Sequence, residues 1–165
     1  MVASVPVGAP LATSTLGAGA RSLRAPAISP NGTDVYVVYN AFTTPFRTNT
    51  TDPRSLVGVM LHATTPATGA TGAFTQVHRG APGDPRGSSA NALISEFLGD
   101  YVYAAATRGY GVGVWNDTRN AGVCSAINTY RAALRAGTAA TAPAVQQQCP
   151  PNFGNSDIFS FTTAN

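Results

Sequence analysis

The chain has 165 residues, which is long enough for one ordinary domain with its own core. Only 10% of the residues are charged, all cationic side chains are arginine and Glu96 is the single glutamate, whereas glycine and proline number 17 and 12. This composition argues against a helical bundle, because Lys and Glu favour solvated helical surfaces, and the small formal charge of +3, carried by scattered arginines, argues against nucleic-acid binding.

Membrane insertion is not expected from the sequence. No run approaches the roughly 18 to 20 consecutive apolar residues that a spanning helix needs. The first 20 residues are small and apolar, but they lack the basic start and the compact apolar centre of a signal peptide. If the protein is exported, its signal is therefore expected to lie outside this chain.

Cys124 and Cys149 flank a segment rich in Ala, Thr, Pro and Gln, and their spacing is not that of CxxC metal ligands. We predict a disulfide that closes this segment, with two buried free thiols as the alternative. Such a disulfide would contribute about 3 kcal/mol by the loop-entropy argument. It would also indicate an oxidising compartment and hence an extracellular location.

The first half of the chain is rich in strand signals. Residues 1–24 lack periodicity and are expected to form a flexible lead or the remnant of a preceding structural unit. A Pro-Asn-Gly turn then precedes a β-branched and aromatic strand at 35–39, which is followed by a polar loop over 40–54. The alternating pattern of 56–63 predicts a second strand, and 73–77 a third.

The second half adds strands and one helix. After a Gly/Pro-rich linker, residues 97–107 and 111–115 are predicted as two strands joined by a short hairpin connection. Apolar residues recur at helical spacing between 126 and 134, so one short helix is expected inside the segment that the cysteines bound. Residues 157–162 are predicted as the last strand.

Three glycines lie at positions 109, 111 and 113, beside Trp115. Their spacing is not GxGxxG and no helix follows, so we interpret them as small residues of a closely packed strand rather than a nucleotide loop. Trp115 is expected in the core rather than as a platform for a sugar.

The two halves contain a weak internal repeat. Residues 37–40 (VVYN) and 113–116 (GVWN) each end a strand with an aromatic residue and Asn, before a long polar loop, at an offset of 76 residues. Repeated antiparallel units of this size are typical of propeller blades stacked around an axis.

Three segments carry a family resemblance. The Gly-Asp-Tyr of residues 99–101, followed by a hairpin and VWNDTR at 114–119, resembles the G-D-Y and W-x-D-x-R elements of secreted bacterial sialidase-like proteins with BNR or Asp-box repeats. The segment at 30–40 (PNGTDVYVVYN) is similar to the second strand of a blade in that superfamily. FGNSDI at 153–158 resembles the F-G-N-T-D-I that often closes such chains.

The resemblance implies an all-β fold, a partial β-propeller of about two blades out of six, with a short helical, disulfide-closed insert. Residues 25–80 would form one blade-like unit and 81–165 a second with the insert at 120–150, so that the chain looks like the C-terminal portion of such a protein. The Asp-box is degenerate: residues 64–74 keep glycine and an aromatic residue but have no Asp.

The resemblance also implies where ligands would bind. Sialidases use a Tyr nucleophile, an acidic partner and arginines that clamp the substrate carboxylate. Residues of suitable chemistry are Tyr101, Asp100 and Arg119, although the motifs of the family's arginine triad and acid are not recognisable. The surrounding rim would contain Glu96, Asn116, Asp117, Arg47 and Asn40.

Structural roles are the alternative for these residues. Asp100 and Tyr101 could cap a turn or pack in an inner strand, and Asp117 with Arg119 could form a local ion pair or Asx turn that fixes the loop. No cofactor is required, although loop carboxylates such as Asp117 or Asp157 could bind Ca²⁺. His62 and His78 have no carboxylate or Cys near them in sequence, which disfavours a metal or Ser-His-Asp site.

Three functions follow as expectations. The first is the C-terminal portion of a secreted sialidase-like glycoside hydrolase. The second is a propeller used as a binding or scaffold module without catalysis, and the third is a truncated reading frame without independent activity. Expected partners are carbohydrates, and either the remaining propeller blades or further copies of the chain, since two blades alone leave apolar faces and an unpaired edge exposed.

Overall fold

The computed structural model of the protein describes residues 24–44, 49–66, 70–99 and 102–163. Two helices, α1 (Ser125–Arg135) and α2 (Val145–Gln148), and two 3₁₀ turns, Pro85–Gly87 and Asn91–Leu93, accompany seven strands in these residues. The strands are β1 (Arg24–Ile28), β2 (Asp34–Phe42), β3 (Leu56–Thr64), β4 (Thr75–Arg79), β5 (Tyr103–Ala106), β6 (Gly111–Asp117) and β7 (Asp157–Thr162).

The strands form two antiparallel sheets in which neighbours in sequence are neighbours in space. The first sheet has the order β1-β2-β3-β4 and the second the order β5-β6-β7. The prediction of a mostly β fold is therefore confirmed. The helix predicted at 126–134 is also confirmed, as α1.

The first sheet follows directly from local sequence. Gly32 has a φ of +74°, which glycine adopts at no steric cost, and so the chain turns tightly between β1 and β2. In β3 the predicted alternation is confirmed: Met60 lies on the face that packs against the second sheet, whereas Val57 and Val59 belong to a cluster on the opposite face. Both faces of this sheet are therefore apolar.

The main core lies between the two sheets. Tyr36, Val38 and Met60 of the first sheet meet Trp115 of β6 and Val102, the residue before β5, and all five side chains are buried. The position of Trp115 in the core, with 1% of its surface exposed, confirms the prediction from sequence. Partly buried residues of both sheets surround this cluster, so that the sheets share one core.

Glycines let the two sheets approach closely. A Cβ at Gly111 would lie 2.6 Å from the Tyr36 ring, and one at Gly113 would lie 2.6 Å from Val38. Such distances are shorter than any real Cβ contact, so only glycine fits at either position. The interpretation as small residues of a closely packed strand is confirmed for Gly111 and Gly113, whereas it was wrong for Gly109, which lies in the turn between β5 and β6.

Some predicted boundaries were wrong. The strand predicted over 97–107 is in fact β5, which begins only at Tyr103; Phe97 lies in a loop with 54% of its surface exposed. The strand predicted at 73–77 runs from Thr75 to Arg79. Strand β2 continues to Phe42, so Asn40 lies inside a strand and not in a polar loop.

The first strand was missed. Residues 24–28 form β1 although they contain Pro26, because this strand lies at a sheet edge where a missing N–H is tolerated. The flexible lead predicted for 1–24 lies outside the described residues except for Arg24.

The predicted disulfide is present between Cys124 and Cys149, with Cα atoms 5.0 Å apart. It joins the residue that precedes α1 to the residue that follows α2, and so closes the insert between β6 and β7. A disulfide is compatible with an extracellular protein. Among the described residues no helix is long and apolar enough to cross a bilayer.

Candidate functional site

Asp100, Tyr101 and Arg47, three of the residues proposed for a ligand rim, lie outside the described residues. The neighbouring Gly99 is described and has a φ of +81°. A Cβ at Gly99 would lie 3.2 Å from the side-chain nitrogen of Asn116, so Gly99 itself lies against the end of β6. The predicted grouping of Asp100 and Tyr101 with Asn116 lies outside the described residues.

At the end of β6, Asp117 and Arg119 form a bidentate ion pair. Arg119 donates from Nε to Oδ1 at 3.0 Å and from Nη2 to Oδ2 at 2.6 Å, and its backbone N–H donates to Oδ1 at 2.8 Å. The indole N–H of Trp115 donates to Oδ2 at 3.2 Å. The local ion pair expected from the sequence is confirmed.

The electrostatics of this pair favour its charged form. Burial raises the pKa of Asp117, but the hydrogen bonds from Arg119 and Trp115 outweigh burial and hold that pKa below its usual range. The hydrogen bond to Asp117 also raises the pKa of Arg119. Because both carboxylate oxygens are engaged and 3% of Asp117 is exposed, this carboxylate is a structural anchor for the loop that follows β6.

An aromatic group surrounds the arginine. The Arg119 guanidinium lies 3.8 Å from the centre of the Phe159 ring, and His78 stacks on Phe161 at 4.2 Å and tilts against Trp115 at 5.3 Å. Burial lowers the pKa of His78, and the nearby Arg119 lowers it further. His78 therefore serves as a neutral aromatic spacer between the sheets.

Asn40 and Asn116, equivalent in the internal repeat, join the two sheets. The side-chain N–H of Asn40 donates to the backbone carbonyl of Asn116 at 2.9 Å, in a buried environment. Buried amide groups need partners, so this bond satisfies Asn40 within the protein rather than leaving it for a ligand. The structure brings these two predicted rim residues together, and it encloses both.

Glu96 is paired with Arg54. The Arg54 guanidinium donates to the Glu96 carboxylate, and 16% of the glutamate side chain is exposed. Arg54 also donates to the carbonyl of Asn49 at 2.5 Å. The Glu96 carboxylate thus helps to hold the loop between β2 and β3.

Sequence reasoning missed the most buried cation of the insert. Arg131 of α1 is 1% exposed and donates to four backbone carbonyls at distances between 2.8 and 3.1 Å, those of Leu93, Arg86, Ser88 and Ser95. A signal existed: Arg131 follows the buried Ile127 by one helical turn and so shares its face. Arg131 ties α1 to the linker that connects the two sheets.

A further ion pair, between Arg86 and Asp84, lies within the linker. Arg86 donates to both carboxylate oxygens of Asp84 at 2.7 to 3.1 Å, and its other nitrogen donates to the carbonyl of Thr51. Thr51 lies in the loop between β2 and β3. The linker, the insert and this loop are therefore one connected polar network.

His62 has a carboxylate partner that its sequence neighbours did not reveal. Its Nε2 lies 2.8 Å from Oδ1 of Asp34 on the adjacent strand, and its ring stacks on Tyr36 at 4.7 Å. Hydrogen bonds from Thr33 and from His62 lower the pKa of Asp34. No third His, Cys, Asp or Glu joins this pair or any other metal-ligand group among the described residues.

The two carboxylates named for calcium, Asp117 and Asp157, are cross-strand partners on β6 and β7. Both oxygens of Asp117 are held by its neighbours, and Oδ2 of Asp157 accepts a hydrogen bond from Asn120 at 2.7 Å. A calcium site needs six to eight oxygens around one point. The donor set described here does not fit Ca²⁺.

An open groove of about 450 Å³ lies in the insert, between α1 and residues 140–143. Small residues, Tyr130 and Gln148 line it, and it lies apart from the end of β6. Its walls carry no charged side chain.

No protein-family model, no curated protein and no solved structure matches the chain. What the chain can do chemically therefore depends on its own residues alone. At the end of β6 those residues make fixed ion pairs and amide bonds, which position loops and hold the sheets together.

Proposed function

We propose that the chain forms two consecutive blades of a secreted sialidase-like β-propeller, and that the described blades act as a scaffold without catalysis. One observation carries this proposal: two antiparallel meanders pack face to face, and their first strands, β1 and β5, lie side by side. Propeller blades are four-stranded antiparallel sheets arranged in this way around an axis. The disulfide supports an extracellular location.

The polar contacts favour the scaffold role over catalysis. Asp117, Arg119, Asn40 and Glu96 each make ion pairs or hydrogen bonds inside the chain. A glycosidase needs two reactive groups that can reach a substrate, and the described members of the predicted rim supply none that is uncommitted and exposed.

A sialidase-like hydrolase remains the second candidate. The residues that would carry it are Asp100 and Tyr101, which follow Gly99 in the sequence. In a longer protein, further blades would supply the arginines that bind a sialic acid carboxylate. Carbohydrate is then the partner for both candidates, as a ligand of a module or as a substrate.

A fluorogenic sialoside separates the two functions. We expect no turnover by the 165-residue chain, and Tyr101→Phe should leave that result unchanged. The matched control is Tyr110→Phe, which alters a tyrosine that is 45% exposed in the β5–β6 hairpin. Turnover that disappears in Tyr101→Phe and persists in Tyr110→Phe would replace the scaffold proposal with the hydrolase.

The architecture has its own test. The coding region upstream of Met1 should contain an in-frame extension for about four more blades, since six-bladed propellers are the architecture proposed here. A stop codon directly upstream, together with a monomer that melts sharply and binds no apolar dye, would contradict the two-blade proposal.

A further inference from the structure

The sheet edges differ in how they resist pairing with another chain. Proteins protect exposed edges with Pro, charges, bulges or short strands. Strand β1 contains Pro26, β4 pairs with β3 through a register shift and ends in Arg79, and β5 has only four residues. Strand β7 has six residues and, after Asp157, neither a charge nor a proline.

The hydrogen bonds of β7 show which of its backbone groups face outwards. The N–H of Thr163 donates to the carbonyl of Gly111 at 2.9 Å. Since hydrogen-bonded pairs alternate in an antiparallel ladder, Phe161 and Phe159 also point their backbone groups towards β6. The backbone groups of Ile158, Ser160 and Thr162 therefore point away from the sheet, at its edge.

In the first sheet a further strand covers the corresponding edge. Strand β4 pairs with β3, whereas the order β5-β6-β7 leaves β7 as the last strand of the second sheet. The side chains of its outward-facing residues are also exposed, with Ile158 at 66%. Among the described residues, then, no strand pairs with this edge of β7, and the side chains of Ile158, Ser160 and Thr162 are exposed.

We propose that β7 is a pairing edge for a second copy of this chain, which adds its own β7 in antiparallel orientation about a two-fold axis at Ser160. This register places Ser160 opposite Ser160 of the second copy, and Ile158 opposite Thr162. All three outward-facing residues then form hydrogen-bonded pairs, and the two three-stranded sheets become one sheet of six strands.

The charge pattern suits pairing of identical strands. No charged residue lies between Ile158 and Thr162, so no like charges face each other across the pair. Asp157 is engaged by Asn120 and lies beyond the paired residues. Because the two-fold axis lies at Ser160 and not between two residues, the apolar faces of the two paired sheets lie on the same side. The proposal depends on β7 alone and not on the propeller architecture.

Engineered cysteines test the register. Directly opposed residues in hydrogen-bonded antiparallel pairs have Cα atoms about 5.5 Å apart, which a disulfide can bridge. We therefore expect the full chain with Ser160→Cys to form a covalent dimer on mild oxidation, seen on a non-reducing gel. The matched control is Thr162→Cys on the same edge, whose two copies would lie about 13 Å apart along the strands.

Association itself is measured by sedimentation equilibrium. The unmodified chain should show twice the monomer mass, and Ser160→Lys, which places two like charges opposite each other, should shift it to monomer. Gln76→Lys adds the same charge on β4, also exposed, and should leave the dimer intact. A monomer at every concentration, a dimer that Ser160→Lys leaves intact, or equal cross-linking of Ser160→Cys and Thr162→Cys would overturn the proposal. Occupation of the edge by residues 1–23 of the same chain would appear as the first of these results.

Discussion

Gly58 lies beneath the indole of Trp115, and a Cβ at this position would overlap the ring. Gly58→Ala should therefore lower the free energy of unfolding by about 1–3 kcal/mol, since overpacking a filled core forces its side chains or backbone to shift. Urea denaturation followed by Trp115 fluorescence measures this change.

A second substitution shows whether overlap with the indole, rather than the loss of glycine itself, causes the lower stability of Gly58→Ala. Adding Trp115→Phe to Gly58→Ala removes part of the overlapping ring, so the two changes should together cost less than the sum of their separate effects. Simple additivity would show that the indole does not limit the space at Gly58.

Asp117 connects stability to pH. Its pKa is below the ordinary value of 3.8 in the folded state, because the hydrogen bonds from Arg119 and Trp115 outweigh the opposing effect of burial. The unfolded state then binds the proton more readily, so the stabilisation is complete above pH 4 to 5 and is lost as the pH falls through the folded-state pKa.

The isosteric change Asp117→Asn removes this titration. We expect a lower free energy of unfolding at pH 7 and a weaker dependence on pH below about 5 than in the unmodified protein. Denaturation curves between pH 3 and 7 measure both. An unchanged slope below pH 5 would show that Asp117 does not titrate with folding.

At the scale of elements, α1 is fixed by one arginine. Arg131→Met keeps the length of the side chain but leaves the carbonyls of Leu93, Arg86, Ser88 and Ser95 without this donor. Burying unpaired polar groups is costly, so the free energy of unfolding should fall by at least about 3 kcal/mol.

Arg135→Met, at the exposed end of the same helix, is the control and should change stability by less than about 0.5 kcal/mol. Thermal denaturation by circular dichroism gives both values. Equal effects of the two variants would mean that the four carbonyls contribute nothing specific.

The disulfide constrains the other end of the insert. Reduction, or replacement of Cys124 and Cys149 together by serine, should cost about 3 kcal/mol, since the bond closes a loop with a sequence separation of 25. Because Arg131 still holds α1, the far-ultraviolet spectrum should change little while the melting temperature falls. A melting temperature that reduction leaves unchanged would contradict a stabilising bond.

Elements with a strong local pattern could be predicted from the sequence. The alternating pattern identified β3 and the spacing of Ile127, Tyr130 and Leu134 identified α1, because each pattern is a local periodicity that does not depend on distant partners. The strand predicted from Phe97 failed for the opposite reason. Gly99 has a positive φ, and the chain before β5 follows contacts to distant residues such as Asn116 rather than its own propensity.

The candidate site was predictable only where partners are close in sequence. Asp117 and Arg119 are two positions apart, and their pairing followed from the residues alone. Arg54 and Glu96 are 42 positions apart, and Asn40 and Asn116 are 76 apart. Such contacts depend on how the sheets pack, which neither residue type nor local spacing encodes.

At the scale of the whole molecule, the outer face of the second sheet exposes apolar side chains. Tyr103 and Ile158 on this face are 58% and 66% exposed, and Val114 lies half-buried between their strands. Apolar patches of this kind bind hydrophobic dyes. We expect the folded chain to bind the dye ANS and Ile158→Thr to bind it less.

Ser125→Ala, on exposed surface of the insert, should leave the dye signal unchanged. The measurement is dye fluorescence at a fixed protein concentration under native conditions. Signals that stay equal in all three proteins would show that this face does not attract apolar ligands.

The four hydrogen bonds of Arg131 hold both halves of the linker independently of its backbone. The residues they hold, between Arg86 and Ser95, belong to the backbone segment that joins the two sheets, and the arginine that holds them comes from beyond β6. A protease that cut the exposed peptide near Asn91 would thus sever the backbone without releasing either half. The nicked protein would behave as a self-assembled pair of fragments, with Arg131 and the glycine contacts between the sheets in place of the lost peptide bond.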